Sequence, residues 1–220
     1  MDGIILLTIQ ERKNKMSNVW FSSDLHLGHQ RDFLYVPRGF SSIEEHDEAI
    51  IDNINEVVAP EDTLYLLGDL MLGDNEEGAR KLRQIQCKDI RVIRGNHDTD
   101  TRVRLYEYSL GYQMLGYAAP TKFNGKNFML SHYPMATTNF DFEKKPWERV
   151  YNLCGHSHTK EKWDPAIDSI HVELDAWNNY PVNIEDIYKL IRERYGFQYF
   201  TGSFSFLTKV NFYAILYISK

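Results

Sequence analysis

The chain has 220 residues and a formal net charge of −6, from 25 basic and 31 acidic side chains. That length suits one compact domain that buries roughly 70–75% of the unfolded chain's surface, and 43% hydrophobic with 14% aromatic residues is the composition of a packed globule, not of a disordered chain. The acidic balance excludes holding nucleic acid by bulk charge; the lone pair Cys87 and Cys154 excludes a disulfide framework or a CxxC zinc site; no apolar run approaches the ~20 residues of a membrane span. The run Ile4-Ile5-Leu6-Leu7 is too short for a signal-peptide core. A reduced cytoplasmic enzyme is the resulting expectation, and its eight histidines are the feature to place.

Residues 1–15 stand apart from the rest of the chain. Gln10-Glu11-Arg12 can be encoded by codons that spell a ribosome-binding site, so Met16 is one reading of the natural start. An ordinary extra strand through Ile4 to Ile9 is the other. From Val19 onward, short apolar runs alternate with amphipathic stretches. The runs Val19–Ser23, Thr63–Leu67, Ile90–Ile93, Phe128–Ser131, Arg149–Cys154 and Ile170–Leu174 have strand length and branched or aromatic content. A helix is expected from Ser42 to Val58, with a capping box at its start and Pro60 at its end. Further helices are expected over Asn75–Ile85, Thr101–Leu110 and Asn183–Tyr195, the last two ended by Gly111 and Gly196. Asn124-Gly125 marks a hairpin. Strands alternating with helices give an α/β layered fold with some antiparallel pairing. The tail from Phe197 to Lys220 is aromatic and lacks acidic residues. It reads either as strands completing a sheet or as a subunit contact.

Five of the apolar runs end alike. Asp24-Leu25-His26 follows the first, Gly68-Asp69 the second, Gly95-Asn96-His97-Asp98 the third, His132 the fourth and Gly155-His156-Ser157-His158 the fifth. In open α/β sheets, sites form beyond the carboxyl ends of strands, so these residues should meet in one cleft. In extended chain, residues i and i+2 face one side. On that basis Asp24 and His26 can grip one centre, and so can His156 and His158. Glycines at 68, 95 and 155 let backbone approach closely. Asp24, His26, Asp69, Asn96, His132, His156 and His158 are too many ligands for one four-coordinate zinc. They suit two metals sharing a bridging carboxylate. Imidazole and oxygen donors without thiolate favour Mn, Fe, Zn, Ni or Co over Ca or Mg.

The ordered set D-x-H, G-D, G-N-H-[DE], H and G-H-x-H resembles the calcineurin-like metallophosphoesterases over roughly Val19 to Arg194. The stretch Leu174-Asp175-Ala176-Trp177-Asn178-Asn179-Tyr180-Pro181-Val182 and the second histidine of Asp24-Leu25-His26-Leu27-Gly28-His29 are similar to small single-domain prokaryotic and phage members. The resemblance implies a sandwich of two mixed β-sheets flanked by helices (αββα), with a core over about residues 17–196. It implies one metal held by Asp24, His26, Asp69 and His158, and another by Asp69, Asn96, His132 and His156. Asp69 and a hydroxide would bridge two divalent ions, Mn²⁺ foremost, and the hydroxide would attack phosphorus. His97 would protonate the leaving group, with Asp98 orienting its imidazole and raising its pKa.

His29 and Arg94 are candidate substrate contacts, while Lys160 and Lys162 are candidates for the cleft rim. His46, on the first long helix, is expected to face solvent; His171 and Cys154 read as structural. The leading function is hydrolysis of a small, nucleotide-like phosphodiester. The alternatives are a phosphomonoesterase with the same site, or a non-catalytic metal-binding scaffold, which would be expected to lack His97 or a ligand. No membrane or long-duplex partner is expected, and a homo-oligomer would form through the tail.

Overall fold

A computed structural model describes residues 17–137, 144–146 and 148–196. The N-terminal fifteen residues and the aromatic tail, with the start site and subunit contact read from them, lie outside the described residues. The chain builds two mixed five-stranded sheets flanked by helices. The first sheet holds β1 (Val19–Ser22), β2 (Thr63–Leu66), β3 (Asp89–Val92), β4 (Gln113–Met114) and β10 (Val182–Asn183), in the order β10-β1-β2-β3-β4. Its β1 to β4 are parallel and β10 is antiparallel to β1. The second sheet runs β5 (Ala118–Phe123), β6 (Lys126–Ser131), β7 (Val150–Cys154), β9 (Ser169–His171) and β8 (Trp163–Asp164). Here β6, β7 and β9 are parallel, and β5 and β8 are antiparallel edges.

The period of two along each strand divides the core in two. Along β2 and the residue after it, Leu64 and Leu66 join a cluster with Ile50, Ile51 and Ile54 of the helix side, whereas Tyr65 and Leu67 join Phe21, Phe128, Leu130, Tyr151 and Leu153 between the sheets. The helices are α1 (Asp32–Tyr35), α2 (Ile43–Val57), α3 (Asn75–Leu82), α4 (Asp100–Arg104) and α5 (Ile184–Tyr195). The expected cap of α2 forms: Ser42 Oγ accepts the Glu45 N–H at 3.1 Å. Asp74 caps α3, and Asn183 caps α5, whose buried Ile184, Ile187, Tyr188 and Ile191 enter the inter-sheet core.

One local expectation is corrected. The third helix is α-helical only to Arg104; a π turn follows over Leu105–Ser109, closed by the Leu110 N–H on the Leu105 carbonyl. That turn carries buried Tyr106, whose hydroxyl bonds Asp98 at 2.9 Å. The Asn124-Gly125 hairpin forms as expected, with both residues left-handed (φ 43° and 82°), as a tight type I′ connection requires.

Candidate metal centre

The loops beyond β1, β2, β3, β6 and β7 converge at one end of the sandwich. The backbone ladder continues past the strands to hold them there. The Asp24 N–H donates to the Gly68 carbonyl at 3.1 Å, His26 to Asp69 at 2.9 Å and Leu27 to Leu70 at 3.1 Å. Gly155 N–H reaches the His132 carbonyl at 3.0 Å. A Cβ at Gly155 would run into the Ser23 hydroxyl and the Asp24 carboxylate, and one at Gly95 into the Asp69 carboxylate. The expectation of close backbone approach at these glycines is met.

Asp24, His26, Asp69 and His132 are buried at the bottom of the site; Asn96, His156 and His158 are exposed at its mouth. Asp24 Oδ2 accepts from Ser23 Oγ (2.6 Å) and the His156 N–H (2.8 Å). Its Oδ1 is buried and accepts no hydrogen bond; it faces His26 Nε2 at 3.6 Å and His158 Nε2 at 3.7 Å. Those two nitrogens are 3.2 Å apart. A buried carboxylate oxygen left without a donor needs an explanation, and one facing two ring nitrogens aimed at a common point fits a cation. On the other side, Asp69 Oδ1 accepts the His97 N–H at 2.8 Å, while Oδ2 lies 3.3 Å from His132 Nε2 and 3.8 Å from His26 Nε2. His132 Nε2 is 2.8 Å from Asn96 Oδ1, and its Nδ1 is 2.9 Å from the Leu67 carbonyl. The Leu67 carbonyl accepts from Nδ1–H, which directs Nε2 toward Asp69 and Asn96. The ligand atoms of Asp24, His26 and His158 form one compact group, and those of Asp24, Asp69 and His132 a second.

The electrostatics agree with this density of charge. Burial pushes the Asp69 carboxyl upward, but the hydrogen bond and charge of His132 outweigh it and hold it below its ordinary range. Burial opposes the charged His132 ring, yet Asp69 and Asp24 raise it to about 9. Asp24 is likewise held low, against burial, by the surrounding histidines.

The seven expected ligands are therefore brought together, though for a different reason at the residue level. Asp24, His26, Asp69, His156 and His158 lie beyond the strand ends in left-handed conformations, with φ of 59°, 49°, 56°, 72° and 47°. Extended-chain alternation does not apply to them. It also fails for the last pair: His158 faces His26, whereas the His156 ring packs on His132 at 5.1 Å. Asp and His tolerate the left-handed region better than most residues.

Other expectations are redirected. Asp98 makes no hydrogen bond to the His97 ring. Its Oδ2 accepts the N–H groups of Asp69 and Gly95, both at 2.8 Å, and its Oδ1 takes Tyr106 and the Leu70 N–H. Asp98 thus braces the two loops that carry Asp69 and Asn96. The His97 ring lies 5.5 Å from that of His26, at the site. His29 also adjoins His26, at 5.8 Å. Arg94 is committed elsewhere: it pairs with Asp100 at 2.7 Å and lies over Tyr117. Lys162 sits over Trp177. His171 and Cys154 are buried, as expected.

His46 is corrected outright, because it is fully buried. Its Nε2 is 3.1 Å from Arg38 Nη1 and its Nδ1 is 2.8 Å from Asp47 Oδ1. Asp47 in turn accepts the Gly28 N–H at 2.8 Å and pairs with Lys81. Arg38 grips Asp175 through two nitrogens (2.7 and 3.1 Å) and donates to the Asp24 carbonyl at 2.9 Å. Asp175 Oδ2 is 3.0 Å from His158 Nδ1. This buried chain supports the ligands from behind and escaped the sequence reading. Its one signal was the spacing Ile43, His46, Asp47, Ile50, Ile51, Ile54, which puts His46 and Asp47 on the buried stripe of α2.

Comparison with known proteins agrees with this geometry. The model of the calcineurin-like phosphoesterase superfamily domain matches residues 18–170. An uncharacterised protein of Methanocaldococcus jannaschii is 32% identical over 185 residues, covering 81% of this chain and 93% of that protein. The gene 66 protein of Mycobacterium phage L5 is 28% identical over 198 residues, covering 80% of this chain and 95% of that protein. A solved structure of a protein of unknown function from Aquifex aeolicus shares the fold, with a TM-score of 0.58, 24% identity, and coverage of 80% of this chain and 100% of that one. The chain belongs to the calcineurin-like phosphoesterase superfamily and is a metal-dependent phosphoric ester hydrolase.

Proposed function

We propose that the protein is a dinuclear phosphodiesterase acting on a small, nucleotide-like substrate. The observation that carries this reading is Asp69 Oδ2, placed between His26 at 3.8 Å and His132 at 3.3 Å. A carboxylate with one oxygen between two ligand groups is suited to bridging. Asp24, His26, Asp69 and His158 would hold one ion, and Asp69, Asn96, His132 and His156 the other, with Mn²⁺ the first choice for such donors. When bound, two divalent ions supply a nucleophile at neutral pH and neutralise charge on the ester. His97, beside His26, donates a proton to the departing alkoxide oxygen, which is a poor leaving group without one. Asp98 keeps the Asp69 and Gly95 backbone in place while this happens.

A diester is favoured over a monoester because an open cleft of about 620 Å³ adjoins the site through His29 and leaves room for a second substituent. Both cysteines are buried and unpaired, which supports a reducing, cytoplasmic setting. The test is hydrolysis of bis(p-nitrophenyl) phosphate against p-nitrophenyl phosphate, with and without Mn²⁺. Mn²⁺-dependent turnover that favours the diester is expected. Preference for the monoester would replace this reading with a phosphomonoesterase, and no turnover of either by metal-loaded protein would leave a scaffold. Asp69→Ala should abolish turnover and lower bound metal from two ions to one or none. Two retained ions would refute the bridge.

A further inference from the structure

The cleft beside the metal-ligand cluster runs between the loop after β1 and the loop after β2. Its lining includes Gly28, His29, Arg31, Phe33, Leu72 and Gly73. Gly28 and Gly73 meet backbone to backbone: a Cβ on Gly73 would lie 2.6 Å from the Gly28 carbonyl oxygen. That part of the wall carries no side chains and is smooth.

Three side chains give the cleft its chemistry. Phe33, on α1, is 69% exposed. A single exposed phenylalanine is ordinary, but this one continues a line of rings into the site. Phe33 meets His29 edge-on at 5.3 Å, and His29 meets His26 edge-on at 5.8 Å. The His29 ring is oriented by the Arg31 N–H, which donates to Nδ1 at 3.2 Å. A neutral imidazole accepting at Nδ1 carries its proton on Nε2, so His29 offers a donor there. The exposed Arg31 side chain lines the cleft and forms no ion pair with a carboxylate among the described residues. The Asp74 carboxylate, on the same wall, accepts the Glu76 and Glu77 N–H groups through one oxygen, Oδ1, at the start of α3.

We infer that this cleft is a nucleobase subsite. One arm of the phosphodiester runs from the metal-ligand cluster past His29, its base stacks on Phe33, and Arg31 supplies positive potential to the anionic nucleotide. Base–aromatic stacking tolerates any base because each has a π face, so the subsite selects for a nucleotide arm without selecting its identity. This inference rests on the phosphodiesterase reading and names the part of the substrate that reading leaves open.

The test is equilibrium binding to Mn²⁺-loaded protein by titration calorimetry, which does not depend on turnover. Adenosine 5′-monophosphate and methyl phosphate present the same phosphate and differ in the base-bearing arm. The nucleotide should bind about tenfold more tightly or better, the range that stacking on one aromatic ring supplies. The advantage should shrink to within about threefold in Phe33→Ala and persist in Phe33→Trp. Because Phe33 is exposed, an unchanged melting temperature confirms that the variants fold. Equal binding of the two ligands by the wild type, or a nucleotide advantage that survives in Phe33→Ala, would overturn the subsite. Failure to hydrolyse bis(p-nitrophenyl) phosphate would strike the parent reading alone, and the two failures are therefore distinguishable.

Discussion

The Nδ1 atom of His158 lies 3.0 Å from Oδ2 of Asp175, a carboxylate that Arg38 holds at 2.7 Å. An imidazole that donates its far N–H to a carboxylate is fixed in tautomer and direction, and loss of such a partner typically costs 10–100-fold in metal affinity. On the dinuclear reading proposed above, Asp175→Asn should therefore weaken the ion assigned to His158 by about that factor and spare the other. Calorimetric titration with Mn²⁺ measures it; equal affinities before and after would remove Asp175 from this role. Arg38→Met should be worse for the fold, because it removes a buried guanidinium that holds the half-buried Asp175 carboxylate and the Asp24 carbonyl, and a lower melting temperature measures it.

His97 and Asp98 are neighbours with separate tasks. If His97 is the proton donor proposed above, His97→Ala should leave metal content unchanged yet slow turnover, most for substrates with poor leaving groups. A plot of rate against leaving-group pKa checks this, and equal slowing across the series would count against proton donation. Asp98→Ala orphans the buried N–H groups of Asp69 and Gly95, at about 1–3 kcal/mol each. A lower melting temperature and looser metal binding should follow. A variant as stable as wild type with only its leaving-group dependence altered would restore Asp98 to the His97 ring.

Gly155 tests the packing of the site with a single methyl group. Its backbone is not left-handed, so Gly155→Ala imposes no backbone strain of that kind. The added Cβ meets Ser23 and Asp24, and overpacking of this sort costs about 1–3 kcal/mol. Metal content by elemental analysis should fall along with the melting temperature. Full metal content would show that the loop shifts freely.

His46 gives a pH signature outside the ligand set. Burial lowers its pKa, and Arg38 adds to that, while Asp47 opposes it through a hydrogen bond and its charge. The ring's folded pKa is below its unfolded value of 6.5, so the unfolded chain binds more protons at mildly acid pH. The stabilisation is complete above about pH 6.5 and is lost as pH falls through that value toward the folded pKa. Urea midpoints of metal-free protein at pH 7.5 and 5.5 should drop further for the wild type than for His46→Gln. Parallel drops would dismiss the contribution.

The ligand motifs were legible because each occupies a few consecutive residues and the set repeats one arrangement, strand end followed by Asp, Asn or His. The Asn124-Gly125 hairpin and the Asn183 cap were legible for the same reason: both are local. What escaped is non-local. Arg38 and Asp175 are far apart in the chain, and neither residue type signals burial on its own. The expectation that His46 faces solvent overlooks its place on the α2 stripe, which points inward. The two-residue strands β4, β8 and β10 carry too little pattern to stand out and exist because longer neighbours pair with them. Asp24 and His26 do meet, as extended-chain alternation implied, but strand geometry had already ended at Ser22.

The five left-handed residues at the site have a consequence for the life of the molecule. No short segment of the chain would hold Asp24, His26, Asp69, His156 and His158 in those conformations by itself; the assembled sheets impose them. A divalent ion that needs several of these residues at once is consequently a ligand of the native state and not of the unfolded one, and it stabilises by mass action. Chelation then does more than halt turnover. It raises the population of open chain available to proteases, so metal supply governs how long the protein persists as well as how fast it works.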